Sequence, residues 1–386
     1  MNGSGKIVVF GAGATGRGHV GLLSWQAGFD MVFVDKKRGL VEALQQAGSY
    51  TVHLYGERHE QVKVTGCRFL HSESRRQVAE EIVDADLVLT AVFDQNLSDV
   101  AVTLAEAVEL RQQQGCKHPL NCIACENMMN SSSTLGKHVR QRLDPATYDY
   151  LDAYVGFPDC MISRVVPRPV DPLTIVAEDY NEWTTRREAF KGAELAGLTA
   201  LELVDNQSAR LERKLFVHNG GHAVCGYVGF HRGWQYIHQA VEDPVVGEHV
   251  LGALDELGAV VARKHGFSNE SVKAYEMDLV RRGSVPEMKD EILRVVRDPM
   301  RKLSARERLV APALEAEKLG VSRGWIVKGI AAALHYNHPA DVQSVELQSK
   351  LKGSGIEVVV AEVCGIDATS NLGREIVEAY EDFDLG

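Results

Sequence analysis

The sequence predicts an α/β protein: a doubly wound, mostly parallel sheet first, then a mainly α-helical C-terminal region. Three observations carry this. Short β-branched runs alternate with helical stretches through the first half of the chain. A glycine-rich turn, Gly11-Ala-Gly-Ala-Thr-Gly16-Arg-Gly18, joins the first run to the first helical stretch. From Asp205 onward, strand signals nearly vanish and long helical patterns take over. The expected domains are residues 1–204 and 205–386.

The elements follow in order. Lys6 to Gly11 is β-branched and apolar, as a buried parallel strand requires. His19 to Gly28 can form a helix that stops at glycine. Asp30 to Asp35 is the next strand, and Thr51–Tyr55 with Gln61–Thr65 reads as a hairpin around Gly56-Glu-Arg-His. Ser72–Val83 and Leu97–Gln114 are helical, while Asp86–Val92 and Leu120–Cys125 are buried strands. Tyr154–Trp183 carries Pro158, Pro167, Pro169 and Pro172 between strand-like stretches, and is expected to extend the sheet or wall a cleft. Ile356–Val360 fits either a strand or a buried helix.

Composition bounds the function. The chain has 386 residues, 45% hydrophobic and 25% charged, which excludes collagenous and mainly disordered classes. Its net charge of −11 lacks the basic footprint of a nucleic-acid binder. Seven scattered cysteines do not suggest a disulfide framework. Cys122 and Cys125, three apart on a strand, face opposite sides and are expected in the core. The four tryptophans (25, 183, 234 and 325) are expected to pack. No apolar run reaches membrane-spanning length, and no signal-peptide pattern precedes Lys6. A cytoplasmic protein without membrane or nucleic-acid partners is expected, as a monomer or small homo-oligomer.

The strongest local signal is Gly11-x-Gly13-x-x-Gly16, because its context is right: a strand before it, a helix after it, and Asp35 ending the next strand. Gly11 permits the tight turn, Gly13 lets a pyrophosphate approach the backbone, and Gly16 lets helix and strand pack closely. Ala14 and Thr15 complete the loop at the helix N-terminus, where phosphates are stabilised. Asp35 would accept bonds from the adenosine ribose and repel a 2′-phosphate, which favours NAD over NADP. Lys36, Lys37 and Arg38 pull the other way, but a carboxylate at the ribose outweighs neighbouring cations.

A second signal lies in the helical region. Asp205–Phe230 reads as one helix on which Lys214, His218, His222 and Asn219 share an arc of about 140°. Gly220 and Gly221 would let another element come close. The two histidines, four apart, fit a zinc pair, but no third ligand stands out. The same arc on a solvated face would be unremarkable. Beside a nucleotide-binding domain, an active-site reading is preferred: desolvation favours a neutral lysine that can take a proton, and Asn can donate to a developing oxyanion.

Lys214-Leu-Phe-x-x-Asn219-x-x-His222-Ala resembles the signature of the polyol-specific long-chain dehydrogenases. The similarity spans nearly the whole chain, through Gly11–Gly18, Ser49-Tyr-x-Val-His53, Ile123-Ala-Cys-Glu-Asn-Met128, Val155-Gly-Phe157, Glu182-Trp183, Phe190-Lys-Gly192 and Arg301-Lys-Leu-Ser304. Within the family it is most similar to members acting on polyol phosphates. The resemblance implies a Rossmann-type domain plus a helical domain with the active site between them, and metal-independent hydride transfer between a nicotinamide and a secondary alcohol. It implies Lys214 as general base, Asn127 and Asn219 holding the alkoxide, and His222 orienting the substrate. The carboxyl end of a parallel strand, where Asn127 falls, is also where such sheets bind ligands.

Two departures matter. Ser163 stands where the family carries an aspartate, in Ile162-Ser-Arg-Val165. Arg282-Gly-Ser-Val-Pro286 lacks the family's Phe and Asn, with Val285 at the Asn position. Both are substrate-side segments, so retained chemistry with shifted polyhydroxyl recognition is expected. Arg301 and Lys302 open the most basic stretch, which fits either a sugar-phosphate clamp or a solvated helix start. Arg164 or Arg282 would instead meet a carboxylate if the substrate were a hexuronate. A catalytically idle NAD-binding regulator is the remaining alternative.

Overall fold

Strand β1 (Lys6–Phe10) is apolar after its lysine, and Ile7 to Phe10 are all buried. A strand apolar on both sides needs cover on both faces of its sheet. The computed structural model, which describes residues 5–57, 59–126, 128 and 130–385, supplies it. Strands β2 (Asp30–Asp35), β3 (Ser49–Tyr55), β4 (Glu60–Thr65), β5 (Arg68–His71), β6 (Leu87–Thr90), β7 (Leu120–Ala124) and β8 (Val155–Gly156) follow in the chain. Six of the eight form one sheet in the order β5-β2-β1-β6-β7-β8, every neighbouring pair parallel. Ile7, Val9, Phe33, Leu87 and Leu89 join the core on one face. Val8, Phe10, Val32, Val34 and Val88 join the core on the other, as a two-residue period demands.

Helix Leu97–Gln113 covers the second face with Leu97, Val100, Ala101, Leu104 and Val108, a helical spacing. Strand order reverses at β1, which has β2 on one side and β6 on the other. Ligands of open parallel sheets bind at the carboxyl ends beside such a reversal.

The chain divides into two compact units, Met1–Leu211 and Glu212–Gly386. In the first, the proline-rich segment does not extend the main sheet beyond the two-residue β8. Its strands β9 (Cys160–Ser163), β10 (Thr174–Glu178) and β11 (Glu182–Arg186) enter two small sheets, β10-β3-β4 and β12-β11-β9, with β12 spanning Glu202–Val204. The hairpin β3–β4 therefore pairs with β10 and not with the main sheet. Strand β5 has no clear sequence signal: its only buried residue is Phe69, between the exposed Arg68 and the half-buried Leu70.

The second unit is built from helices around one core. Ile356–Cys364 is helical there, because Ile356, Val359, Val360 and Val363 bury one stripe at helical spacing. Cys122 and Cys125 fall in the cores on opposite sheet faces. Trp183 is fully buried, whereas Trp234 lies at the surface and donates its indole N–H to Asp243. Among the described residues, no helix is long and apolar enough to cross a membrane.

Candidate active site

The glycine-rich turn leaves β1 at the sheet's carboxyl edge. Gly11 has φ +95°, a left-handed conformation, and a Cβ there would stand 2.3 Å from the Ala91 carbonyl oxygen. A Cβ on Gly16 would stand 1.8 Å from the Gly11 carbonyl oxygen. Those two glycines serve the fold itself. Gly13 differs: a Cβ there would meet nothing within 4 Å. Gly13, Ala14 and Thr15 are partly exposed, whereas Gly11 and Gly16 are buried. The open space lies at the start of the helical run through Gly16–Val20 and Gly21–Gln26, where free backbone N–H groups favour an anion. These residues fit a dinucleotide pyrophosphate.

Asp35 ends β2 beside this loop. Its Oδ2 accepts from the Ala12 N–H at 2.9 Å and its Oδ1 from the Lys37 N–H at 2.8 Å. Each carboxylate oxygen keeps a lone pair for a ribose hydroxyl. Two of the three neighbouring cations are engaged: Lys36 donates to the Asn96 side chain and Arg38 pairs with Glu73 at 2.8 Å.

A third group at the same edge escaped the sequence reading. Glu126, two residues beyond the end of β7, is 9% exposed. Thr90 Oγ1 donates to it and the Val92 N–H donates to its Oε1 at 2.9 Å, so it ties the end of β6 to that of β7. Burial pushes its pKa up to about 7, and these bonds only partly offset that. A carboxyl whose folded pKa is raised stabilises the fold below its ordinary value of 4.5 and loses that contribution as pH rises through about 7. Glu126→Gln keeps the acceptor and removes the charge. The variant should therefore gain about 3 kcal/mol relative to the parent between pH 4.5 and pH 8. Urea unfolding at both pH values checks this; an unchanged difference would show that Glu126 does not titrate in that window. Asn127, the next residue, lies outside the described residues.

The helical run that begins at Gln207–Arg213 continues in the second unit as a π-helical turn at Lys214–His218 and the helix Asn219–His231. It is not one uniform α-helix. A π turn takes an extra residue per turn, so the even arc expected for residues 214–222 does not hold. Such turns recur at functional sites. Lys214, His218, Asn219 and His222 are all half-buried along this run. Gly220, between them, packs against the Arg308 carbonyl, 2.9 Å from where a Cβ would stand.

His218 has its Nδ1 shut off from solvent, and its ring meets that of His222 edge-on at 6.0 Å. Burial pushes its pKa well down, and Arg282, His222, Lys214 and Arg308 push it further. His218 therefore stays neutral amid a concentration of positive groups. His222 Nε2 lies 3.0 Å from Asp290 Oδ2, and the Arg294 guanidinium donates to the other oxygen of Asp290. Burial alone would raise the Asp290 pKa; His222 and Arg294 outweigh it and hold it below the usual carboxylate range. Among the described residues, no group of three His, Cys, Asp or Glu side chains is placed to hold a metal.

The other candidate substrate residues fall differently. Arg164 donates to the backbone carbonyls of Gly18, Asp179 and Tyr180, so its guanidinium clamps the fold. Lys302 is 4% exposed and donates to the Arg297 carbonyl. Burial, with Arg308 and Arg301 nearby, lowers its pKa to about 7. Arg301 and Arg308 both bond to Glu307, at 3.0 Å each. The Arg301–Lys302 pair is thus not a free, outward cationic clamp, because the short helix Pro299–Lys302 turns the lysine inward. Arg282 is buried, close enough to act on His218. Ser163 is 2% exposed on β9. Sequence reading named Arg308 only as the end of the basic stretch and passed over Asp290 and Arg294 as candidates; Asp290 sits among ordinary charged residues and carries no local signal.

The open glycine-rich cradle, the helix it starts and the Asp35 carboxylate define a Rossmann dinucleotide-binding domain, here joined to a helical unit. The model of the mannitol dehydrogenase Rossmann domain matches residues 5–197, and that of the mannitol dehydrogenase C-terminal domain matches residues 208–384. The chain belongs to the mannitol dehydrogenase family. Its fold is similar to that of Pseudomonas fluorescens mannitol 2-dehydrogenase, solved as a ternary complex with NAD and D-mannitol. The two are 16% identical, with a TM-score of 0.78, over 98% of this chain and 92% of the other. It is also similar to a D-sorbitol dehydrogenase solved without substrate, at 16% identity and a TM-score of 0.82, over 98% and 93% of the two chains.

Proposed function

We propose that the protein is an NAD-dependent dehydrogenase that interconverts a polyol phosphate, such as mannitol 1-phosphate, with its keto sugar phosphate, fructose 6-phosphate. The observation that carries the chemistry is the half-buried Lys214–Asn219–His222 set on its π-turned helix, in a chain of this family. NAD supplies the hydride acceptor, or as NADH the donor. Gly13, Ala14 and Thr15 hold its pyrophosphate and Asp35 its adenosine ribose. Asp35, with Lys36 and Arg38 already engaged, supports NAD over NADP.

In the oxidative direction, Lys214 takes the hydroxyl proton. Asn219, together with Asn127, donates to the oxygen as it gains charge. His222 orients the neighbouring hydroxyls. An anionic substrate is read from the three cations that act on His218, Lys214, Arg282 and Arg308, of which Arg282 faces Asp278 and Arg308 faces Glu307. Arg282 and Arg308, which would exchange Asp278 and Glu307 for it, are assigned to the phosphate in place of the inward-turned Lys302 and its neighbour Arg301. The protein is read as a cytoplasmic monomer or small homo-oligomer.

NADH oxidation with fructose 6-phosphate, fructose and fructuronate in parallel tests this. Two charge-assisted contacts predict kcat/KM about 100-fold higher for the phosphate than for fructose. Preference for fructuronate would move the substrate to hexuronates. Tight NADH binding without turnover on any of them would make the protein a nucleotide-binding regulator.

A further inference from the structure

Asp290 is far from His222 in the sequence, yet its carboxylate is the group that His222 Nε2 meets, at 3.0 Å. The carboxylate is 10% exposed and is held from its other side by Arg294 Nε at 2.8 Å. Its backbone is fixed too, since the Asp290 carbonyl accepts from the Ile237 N–H at 2.9 Å. Edge-on contact with His218 sets the plane of the His222 ring. The ring is thus constrained in position, in plane and at one nitrogen.

An ionised carboxylate only accepts hydrogen bonds. Both groups facing Asp290, the Arg294 guanidinium and His222 Nε2, must therefore donate. Which imidazole nitrogen carries the proton is set by the bond the other makes. With Nε2–H committed to Asp290, the free nitrogen of a neutral His222 is Nδ1. His222 Nδ1 bonds to no described residue, and the side chain remains 23% exposed.

We propose that Asp290 is a positioning residue that locks His222 as its Nε2–H tautomer, so that Nδ1 accepts a hydrogen bond from a substrate hydroxyl. This rests on the reading of His222 as the substrate-orienting group. It specifies that His222 recognises a hydroxyl donor on the substrate, while the cations beside it take the anionic end. Asp290→Asn reverses the lock. Its amide can satisfy Arg294 through the oxygen only by turning its NH2 toward His222. Nε2 then becomes the acceptor and Nδ1 gains the proton, so it can no longer accept from the hydroxyl, which must turn and give up any other donor to its oxygen.

Two measurements decide this. In the full-length parent with 15N-labelled histidine, the side-chain shifts at pH 8 should show His222 Nε2 protonated and Nδ1 bare, with Asp290→Asn exchanging the two. A bare Nε2 in the parent overturns the proposal, whatever the substrate proves to be. In turnover, Asp290→Asn should lower kcat/KM about 10–100-fold with unchanged NADH affinity, and Asp290→Glu should restore most of the loss. An Asp290→Asn enzyme within twofold of the parent also overturns it. If the parent turns over no polyol or keto sugar, the proposed function fails, while the tautomer measurement still decides the role of Asp290.

Discussion

Lys214→Ala should lower kcat about 10²–10⁴-fold on the best substrate, the range expected when a general base is removed. NADH affinity, read by fluorescence titration, should stay within about twofold, because the proposed dinucleotide cradle, residues 11–16 and 35, lies in the first unit. Lys214→Arg should not rescue turnover: a guanidinium keeps its proton and cannot act as a base. Lysine opens the π turn and sits one turn before His218, within the positive groups that keep that histidine neutral. Full activity in Lys214→Ala would remove it from the chemistry and leave it as an anion contact. Loss of NADH binding together with turnover would instead point to damage beyond the site.

The glycine-rich turn should separate binding from folding. Gly13→Ala meets nothing within 4 Å, so thermal stability should be unchanged. NADH affinity should fall at least about tenfold, since a methyl group would occupy the space left for the pyrophosphate. Gly11→Ala forces a Cβ into a left-handed backbone and 2.3 Å from the Ala91 carbonyl. The conformation alone costs about 1–3 kcal/mol, and the overlap adds to it. Calorimetry with and without NADH distinguishes the two variants. If Gly13→Ala binds NADH as the parent does, the open cradle is not the pyrophosphate site.

The candidate residues of these two sites stand out in the sequence for different reasons. The cofactor loop is a contiguous run whose steric demands are local: Gly11 needs its φ and Gly16 needs its missing Cβ. Lys214, Asn219 and His222 lie within two helical turns, so their spacing alone brings them to one region. Even there the π turn was not legible, because a sequence does not announce the extra residue that it inserts.

What remained hidden depends on contacts between distant residues. Glu126 reads as a polar residue after a strand; only its burial between the ends of β6 and β7 moves its pKa to about 7. Lys302 and Arg164 read as cations available to a substrate. Packing turns the first inward onto the Arg297 carbonyl and spends the second on three backbone carbonyls. Asp290 carries no signal in the sequence; the packing of the second unit brings it to His222. Periodicity and spacing report on neighbours within about two turns or one strand pair. A desolvated charge and the partner that compensates it belong to groups joined only when the core closes, so their roles were decided there.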